Sequence, residues 1–317
     1  MCPERSKKQE FPKPFVKWAG GKSQLLDEIK SRYPKKLGKD INRYCEPFVG
    51  GGAVLFDIIA SYTFEEILIN DINPDLINTY IQIRDNIDEM VELLSDLRSN
   101  YNDSEQTKKE EYYYIKRDRF NHLRQDANTS TDVERAALFV FLNKTCFNGL
   151  YRVNKNGDFN VPVGRHKKIN VYEKANLCNV SKSLQSVTIK RGDYKECEDF
   201  IDCNTFVYID PPYRPLSNTA SFTGYAMDGF TDKEQIELGD FIKRISSKGA
   251  SVVLSNSDPK NSDKKDNFFD DMYGEFNIDR VSAKRMINSN GKDRGSIKEI
   301  IVVNYPVSKA KKQHKII

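Results

Sequence analysis

A chain of 317 residues has room for one sizeable α/β core plus a second module, at roughly 150 residues per domain. Six cysteines (Cys2, Cys45, Cys146, Cys178, Cys197, Cys203) without a CxxC spacing, and only three histidines (His122, His166, His314), argue against a structural zinc site. A net charge of +4 from 50 basic and 46 acidic residues is too balanced to declare a nucleic-acid binder, and no apolar run suits a signal peptide or membrane span, so a cytoplasmic location with reduced thiols is expected.

Residues 1–14, with three prolines and several charges, read as a mobile lead-in. The segment Phe15 to Ser23 ends in Gly-Lys-Ser, but Val16 stands where a phosphate-binding loop needs glycine, so an NTPase is not supported. Trp18, the single tryptophan, could be ordinary core; its flanking lysines and glycines favour a ligand loop. Tyr44 to Phe48 reads as a strand that breaks into Gly50-Gly51-Gly52 before a helix over Ala53 to Ala60. Glu66 to Asp71 is an apolar strand ending in an acid, and Pro74 opens a helix with the spacing Leu76, Tyr80, Ile83, Ile87. Over 100–185 strand signals give way to charged and aromatic helical text and an Asn/Gly-rich loop, which marks an inserted module. Strand signals return at Val187 to Ile189, Thr205 to Ile209, Ser251 to Leu254, Phe276 to Ile278 and Ile300 to Val303, with a helix from Asp232 to Ile245. The alternation predicts a doubly wound, mostly parallel sheet built from 15–99 and 186–306, with ligands beyond the carboxyl ends of its strands. Residues 307–317, including Lys309 to Lys315, form a basic tail that reads as solvated.

The three consecutive glycines let backbone approach a ligand at a helix N-terminus, and Asp71, about twenty residues on, can accept hydrogen bonds from ribose hydroxyls. Phe48 and Val49 crowd the place a pyrophosphate would need, so an adenosyl ligand without phosphate, such as S-adenosylmethionine (SAM), fits better than a dinucleotide.

Thr205 to Ile209 runs directly into Asp210-Pro211-Pro212-Tyr213. The exocyclic amine of a base is a poor nucleophile because its lone pair is delocalised into the ring. Asp210 and the Pro211 carbonyl can accept its hydrogens, two prolines fix φ and aim that carbonyl, and Tyr213 can stack on the base. A strand followed by a plain Pro-Pro turn is the competing structural reading.

With Lys17-Trp18-Ala19-Gly20-Gly21-Lys22, Glu46 to Gly52, Asp210 to Tyr213 and Leu254-Ser255-Asn256-Ser257 in this order, the sequence resembles the Dam-type DNA adenine methyltransferases over about Phe15 to Tyr305. The resemblance implies a Rossmann-like SAM-dependent methyltransferase sheet and an inserted helical target-recognition domain, over 100–185, that contains a β-hairpin. It implies SAM as methyl donor, S-adenosylhomocysteine as product and no metal. Trp18, Lys22, Phe48, Gly50, Asp71, Asp193, Tyr194 and Asp210 would lie around the cofactor. The block Asn143 to Arg152, continuing through Asn154, Gly157, Phe159 to Pro162, Gly164 and Arg165, looks like the family's hairpin that reads GATC. There Arg152 would grip a guanine edge, Leu150 and Pro162 a thymine methyl, and Phe147, with Asn148 beside it, the gap left by a flipped adenine. Lys17 would touch the first guanine, Asn290 and Arg294 the backbone, and His166 stands where the housekeeping enzymes carry a tyrosine, which relaxes the first position. The implied partner is double-stranded DNA, met by a bacterial or phage-encoded monomer acting alone or beside a cognate restriction endonuclease without a stable complex.

Three rivals share parts of this pattern. A cytosine-amine methyltransferase usually opens the tetrapeptide with serine, an RNA adenine methyltransferase more often with asparagine, and a DNA-binding relative without catalysis would not need Asp71 and Asp210. A related DNA target other than GATC is the remaining alternative.

Overall fold

The computed structural model describes residues 11–125, 131–166, 168–214, 230–284 and 296–307. Strands β1 (Arg43–Glu46), β2 (Glu66–Asp71), β3 (Val187–Arg191), β4 (Thr205–Ile209), β5 (Ser251–Ser257), β6 (Asn277–Lys284) and β7 (Ser296–Val303) form a sheet in the order β3-β2-β1-β4-β5-β7-β6. The pairs β1–β2, β1–β4 and β4–β5 are parallel, and β7 runs antiparallel between β5 and β6. This is the expected doubly wound, mostly parallel arrangement, the sheet of a SAM-dependent methyltransferase fold. Every residue of β4 is buried, as a central parallel strand requires, which explains its uninterrupted Thr-Phe-Val-Tyr-Ile text.

Internal contacts divide the chain into two compact units. The sheet unit comprises Lys22–Val49, Tyr62–Ile72 and Gly192–Ile317. It holds helices α1 (Leu26–Lys30), α8 (Asp232–Ser247) and α9 (Phe268–Met272). Leu238, Phe241, Ile242 and Ile245 of α8 pack in one core with Cys45, Leu68, Val207, Val252 and Ile300 of the strands. Thr231 and Glu234 cap α8 reciprocally.

The helical unit comprises Met1–Gly21, Gly50–Ser61 and Asn73–Arg191. Its helices are α2 (Ala53–Ser61), α3 (Pro74–Asp85), α4 (Ile87–Asn102), α5 (Gln106–Gln125), α6 (Asp132–Thr145) and α7 (Lys174–Leu184). Asn73 starts α3 by accepting from the Asp75 and Leu76 N–H groups, both at 3.0 Å, with Pro74 in the first turn. In place of continuous hairpin strands, the segment after α6 has two isolated antiparallel bridges, Cys146 with Val163 and Val153 with Phe159. Its backbone is tied to the helices by side-chain amides. Asn121 of α5 accepts from Phe159 N–H (2.8 Å) and donates to its carbonyl (3.1 Å), and Asn102 of α4 does the same for Ile169, at 3.0 Å each way. Lys13, inside the expected lead-in, is held likewise by Asn176 of α7.

Several boundaries differ from the sequence reading. The first strand stops at Glu46, where Pro47 has no N–H to continue a ladder. The helix opened by Pro74 ends at Asp85, because Asn86 leaves helical space (φ −131°, ψ 42°), and Ile87 begins the next one. Strands β6 and β7 are each eight residues long, well beyond the short apolar runs that signalled them. β6 is the edge strand of the sheet, where Asp279 and Arg280 stay exposed although they point to opposite faces, and Lys298 stays exposed near the start of β7, so none of these charges breaks the pairing. Among the described residues no helix is long and apolar enough to cross a membrane. The basic tail beyond Val307 lies outside the described residues.

Gly52 illustrates why the turn before α2 is glycine. Its φ is +73°, and a Cβ there would lie 2.5 Å from the Tyr80 hydroxyl and 2.9 Å from the Phe56 ring. Gly52→Ala should lower stability by about 1–3 kcal/mol, measured as a reduced Tm or urea midpoint, and an unchanged midpoint would contradict this packing.

Candidate active site

Strand β4 delivers Asp210 to its carboxyl end, and the sheet unit surrounds that acid with polar groups taken out of water. The Asp210 carboxylate receives Lys22 Nζ at 2.7 Å and Ser255 Oγ at 3.1 Å. Ser255 Oγ in turn lies 2.9 Å from the Tyr208 hydroxyl. The Lys22 ammonium, itself buried, also sits 4.6 Å from the centre of the Tyr213 ring. Tyr213 donates its hydroxyl to the Glu299 carboxylate on β7. Gln235 donates to the Pro212 carbonyl (3.0 Å) and accepts from Asn256 (3.1 Å), which fixes the second half of the tetrapeptide against β5 and α8.

Burial pushes the Asp210 carboxyl above the usual aspartate range, while the Lys22 charge and the hydrogen bonds from Lys22 and Ser255 pull it back. Glu299 is also raised by burial, opposed by Lys22 and by the Tyr213 hydrogen bond. The Tyr213 phenol stays protonated far into the alkaline range because it is buried beside the Asp210 and Glu299 charges.

On the other side of β1, Asn70 donates to the carbonyls of Pro47 (3.1 Å) and Gly192 (3.0 Å), and Gly192 N–H donates to the Asp71 carbonyl (3.3 Å). These bonds draw together the loops carrying Phe48, Asp71 and Asp193. The Phe48 ring stacks on Tyr194 at 5.2 Å with 30° between planes, and Phe230 meets its edge. Asp193 caps the short turn Tyr194–Cys197 through the Lys195 N–H (2.9 Å).

In the helical unit, Trp18 serves packing as well as any ligand. Its ring stacks on Tyr151 (5.9 Å, 28°), lies 6.4 Å from Phe139 and remains half-buried. Gly50 (φ +48°) passes so close that a Cβ would lie 2.8 Å from the indole, and its carbonyl accepts from Tyr80 (3.1 Å). The Tyr151 hydroxyl reaches the buried Asp75 carboxylate at 2.6 Å, which Arg124 also holds at 2.9 Å.

Lys17 is exposed. Phe147, 51% exposed, stands at the tip of the turn after α6, where Asn148 adopts the left-handed conformation (φ 57°). Its N–H donates to the Pro162 carbonyl (2.9 Å), so Phe147, Asn148, Leu150 and Pro162 share one end of the loop. Arg152 is exposed and braced by Asn160, through Oδ1 at 2.7 Å and the carbonyl at 3.2 Å. His166 folds over Gly164, and its Nε2 has no hydrogen-bond partner among the described residues. Asn290 and Arg294 lie outside the described residues.

Sequence reading assigned no role to Glu299, Ser255, Gln235 or Asn70. Ser255 carried a visible signal, since a polar side chain inside an apolar strand needs a buried partner. Glu299 carried little, because an acid in a half-exposed strand is ordinary.

Comparison with known proteins adds an independent line. A model of the D12 class N6 adenine-specific DNA methyltransferase family matches residues 18–287. The chain is 46% identical to the Type II methyltransferase M.MjaIII of Methanocaldococcus jannaschii, covering 92% of this chain and 99% of that protein. It is 36% identical to the DNA adenine methylase of Haemophilus influenzae (94% and 98% covered) and 34% identical to that of Escherichia coli (94% and 98% covered).

A raised Asp210 means that the folded chain binds this proton more tightly than the unfolded chain does. The stability it contributes is complete below the ordinary carboxylate range and is lost as pH rises through the raised value. Asp210→Asn cannot lose that proton. Beyond a constant offset from the broken Lys22 pair, its Tm should therefore gain on the parent protein as pH climbs from about 4 towards 7. A Tm difference that is flat with pH would contradict the desolvated acid.

Proposed function

This chain belongs to the D12 class N6 adenine-specific DNA methyltransferases, and from that premise we propose that it transfers the methyl group of SAM to the N6 amine of an adenine flipped out of duplex DNA, within 5'-GATC-3'. The observation that carries the reading is Asp210, desolvated at the end of β4 with its charge balanced by Lys22 2.7 Å away.

Asp210 and the Pro211 carbonyl accept the two hydrogens of the N6 amine. Gln235 already occupies the Pro212 carbonyl at 3.0 Å, while nothing among the described residues donates to that of Pro211. SAM held there would supply an electrophilic methyl group from its sulfonium, with S-adenosylhomocysteine as the leaving group. Asp210 keeps an acceptor at the nitrogen that loses its proton, and Lys22 and Ser255 oppose the upward pull of burial on that carboxyl. The Tyr213 ring, steadied through its hydroxyl, offers the target base a stacking face worth about 1–3 kcal/mol, of the order of the cost of flipping.

The residues present suit the cofactor. In the sheet unit, the stacked Phe48 and Tyr194 give an apolar wall for an adenine ring, with the Asp71 and Asp193 carboxylates on the adjoining turns as acceptors for its hydroxyls and amine. Residues 100–185 would form the target-recognition domain, with Lys17, Phe147, Asn148, Leu150, Arg152, Pro162 and His166 facing DNA and Asn290 and Arg294 on phosphate. A monomer on duplex DNA, alone or beside a Type II endonuclease, fits this reading; the Methanocaldococcus jannaschii relative is itself named a Type II methyltransferase.

Unmethylated plasmid incubated with the protein and SAM should become resistant to a nuclease blocked by methylated GATC and sensitive to one that requires it. Unchanged digestion would refute the site. Asp210→Ala should lower turnover about 100-fold or more while SAM and DNA binding persist, measured by methyl transfer and equilibrium binding. Arg152→Ala should instead lower discrimination at one guanine by about tenfold or more, measured on duplexes with that base pair replaced.

A further inference from the structure

Asn143 lies on the last turn of α6, 2% exposed, and its amide makes three hydrogen bonds. Oδ1 accepts from Lys17 N–H at 2.7 Å. Nδ2 donates to the Lys17 carbonyl at 2.8 Å and to the Gly149 carbonyl at 3.1 Å. The amide thus pairs both backbone groups of Lys17 as a neighbouring strand would, and with its remaining hydrogen fastens the turn Phe147–Gly149 to the same point. Packing reinforces the bonds: Gly149 (φ +66°) runs so close to Lys17 that a Cβ would lie 2.5 Å from its side chain. Around this point Gly164 N–H donates to the Thr145 carbonyl (2.8 Å) and Phe147 N–H to Pro162 (2.9 Å), so the far side of the loop follows.

We propose that Asn143 is a positioning residue for sequence choice, holding Lys17 and the Phe147-to-Pro162 loop in one register so that discrimination at the bases read by each is set jointly. This rests on the proposed DNA contacts of Lys17 and the loop. Hydrogen-bond readout of base edges tolerates displacements of only about 0.5 Å, and Lys17 and Asn143, 126 residues apart in sequence, have no covalent reason to keep that alignment. A merely structural amide would not need to join these two segments in particular. Asn176 supplies the contrast: it clasps Lys13 in the same way (2.8 and 3.0 Å) without touching the loop.

The test compares Asn143→Ala, the isosteric Asn143→Asp and the control Asn176→Ala in the full chain with SAM. Methylation mapping of plasmid DNA by the parent protein first identifies its site. Then kcat/KM is measured on duplexes carrying each single base-pair replacement. Asn143→Asp keeps the shape but sets a carboxylate oxygen against two carbonyl oxygens, so it reports even where Asn143→Ala fails to fold.

Lys17→Ala should relax only its own position and Arg152→Ala only its own, whereas each folded Asn143 variant should relax both, by about tenfold. Asn176→Ala should keep the parent's ratios. Faster hydrogen exchange at the Lys17 amide in Asn143→Asp should accompany the loss. Parent-like ratios at either position in folded Asn143→Asp overturn the proposal. A parent protein indifferent to both positions overturns the DNA-contact reading, and the joint register with it; hydrogen exchange then still tells whether the clamp exists.

Discussion

Backbone N–H and C=O groups withdrawn from water must find partners, and this constraint shapes both units. In the sheet the strands satisfy one another, so β4 can be wholly apolar in its surroundings. The segments that carry chemistry have no such ladder, and asparagine amides substitute for one. Asn121 pairs Phe159, Asn102 pairs Ile169 and Asn143 pairs Lys17 within the helical unit. In the sheet unit Asn304 accepts from Val252 N–H (2.8 Å) and donates to the Ala250 carbonyl (2.8 Å), while Asn70 bridges two loops. An amide is suited to this because it carries a donor and an acceptor in the spacing of a peptide group and adds no charge. Loops long enough to reach a substrate can therefore be as well fixed as strands.

The same withdrawal from water has a different consequence at the end of β4. A buried ion pair contributes little net stability, because desolvation of the two ions offsets their attraction. Lys22 and Asp210 are thus hard to explain as a structural device. A strongly perturbed, paired acid at a strand end is the kind of feature that marks a functional site, and the proposed catalytic role of Asp210 rests on it. Ser255, Tyr208 and Glu299 extend the arrangement across β4, β5 and β7, so the central strands, rather than flexible loops, set its geometry.

Much of this was legible in the linear chain. Thr205 to Ile209 followed by Asp210-Pro211-Pro212-Tyr213 names its own strand and exit, and β2 was read with both ends correct, because an apolar run ending in an acid is a local pattern. Length was misread where exposed charges interrupt a strand. In β6 and β7 Asp279, Arg280 and Lys298 break the apolar text while the backbone pairing continues past them, and Asn86 interrupted a spacing that otherwise continued to Ile87.

By itself the sequence determined the alternation of elements, the position of the tetrapeptide and the glycine turn, and the family to which the chain belongs, since each depends on neighbours along the chain or on motifs in a fixed order. Only the tertiary structure decided that Lys22 neutralises Asp210, that Glu299 holds the Tyr213 hydroxyl and that Asn143 ties Lys17 to the turn at Gly149. Those partners are 188, 86 and 6 or 126 residues apart (210 − 22 for the first), and they meet through strand order and helix packing, which no local pattern encodes.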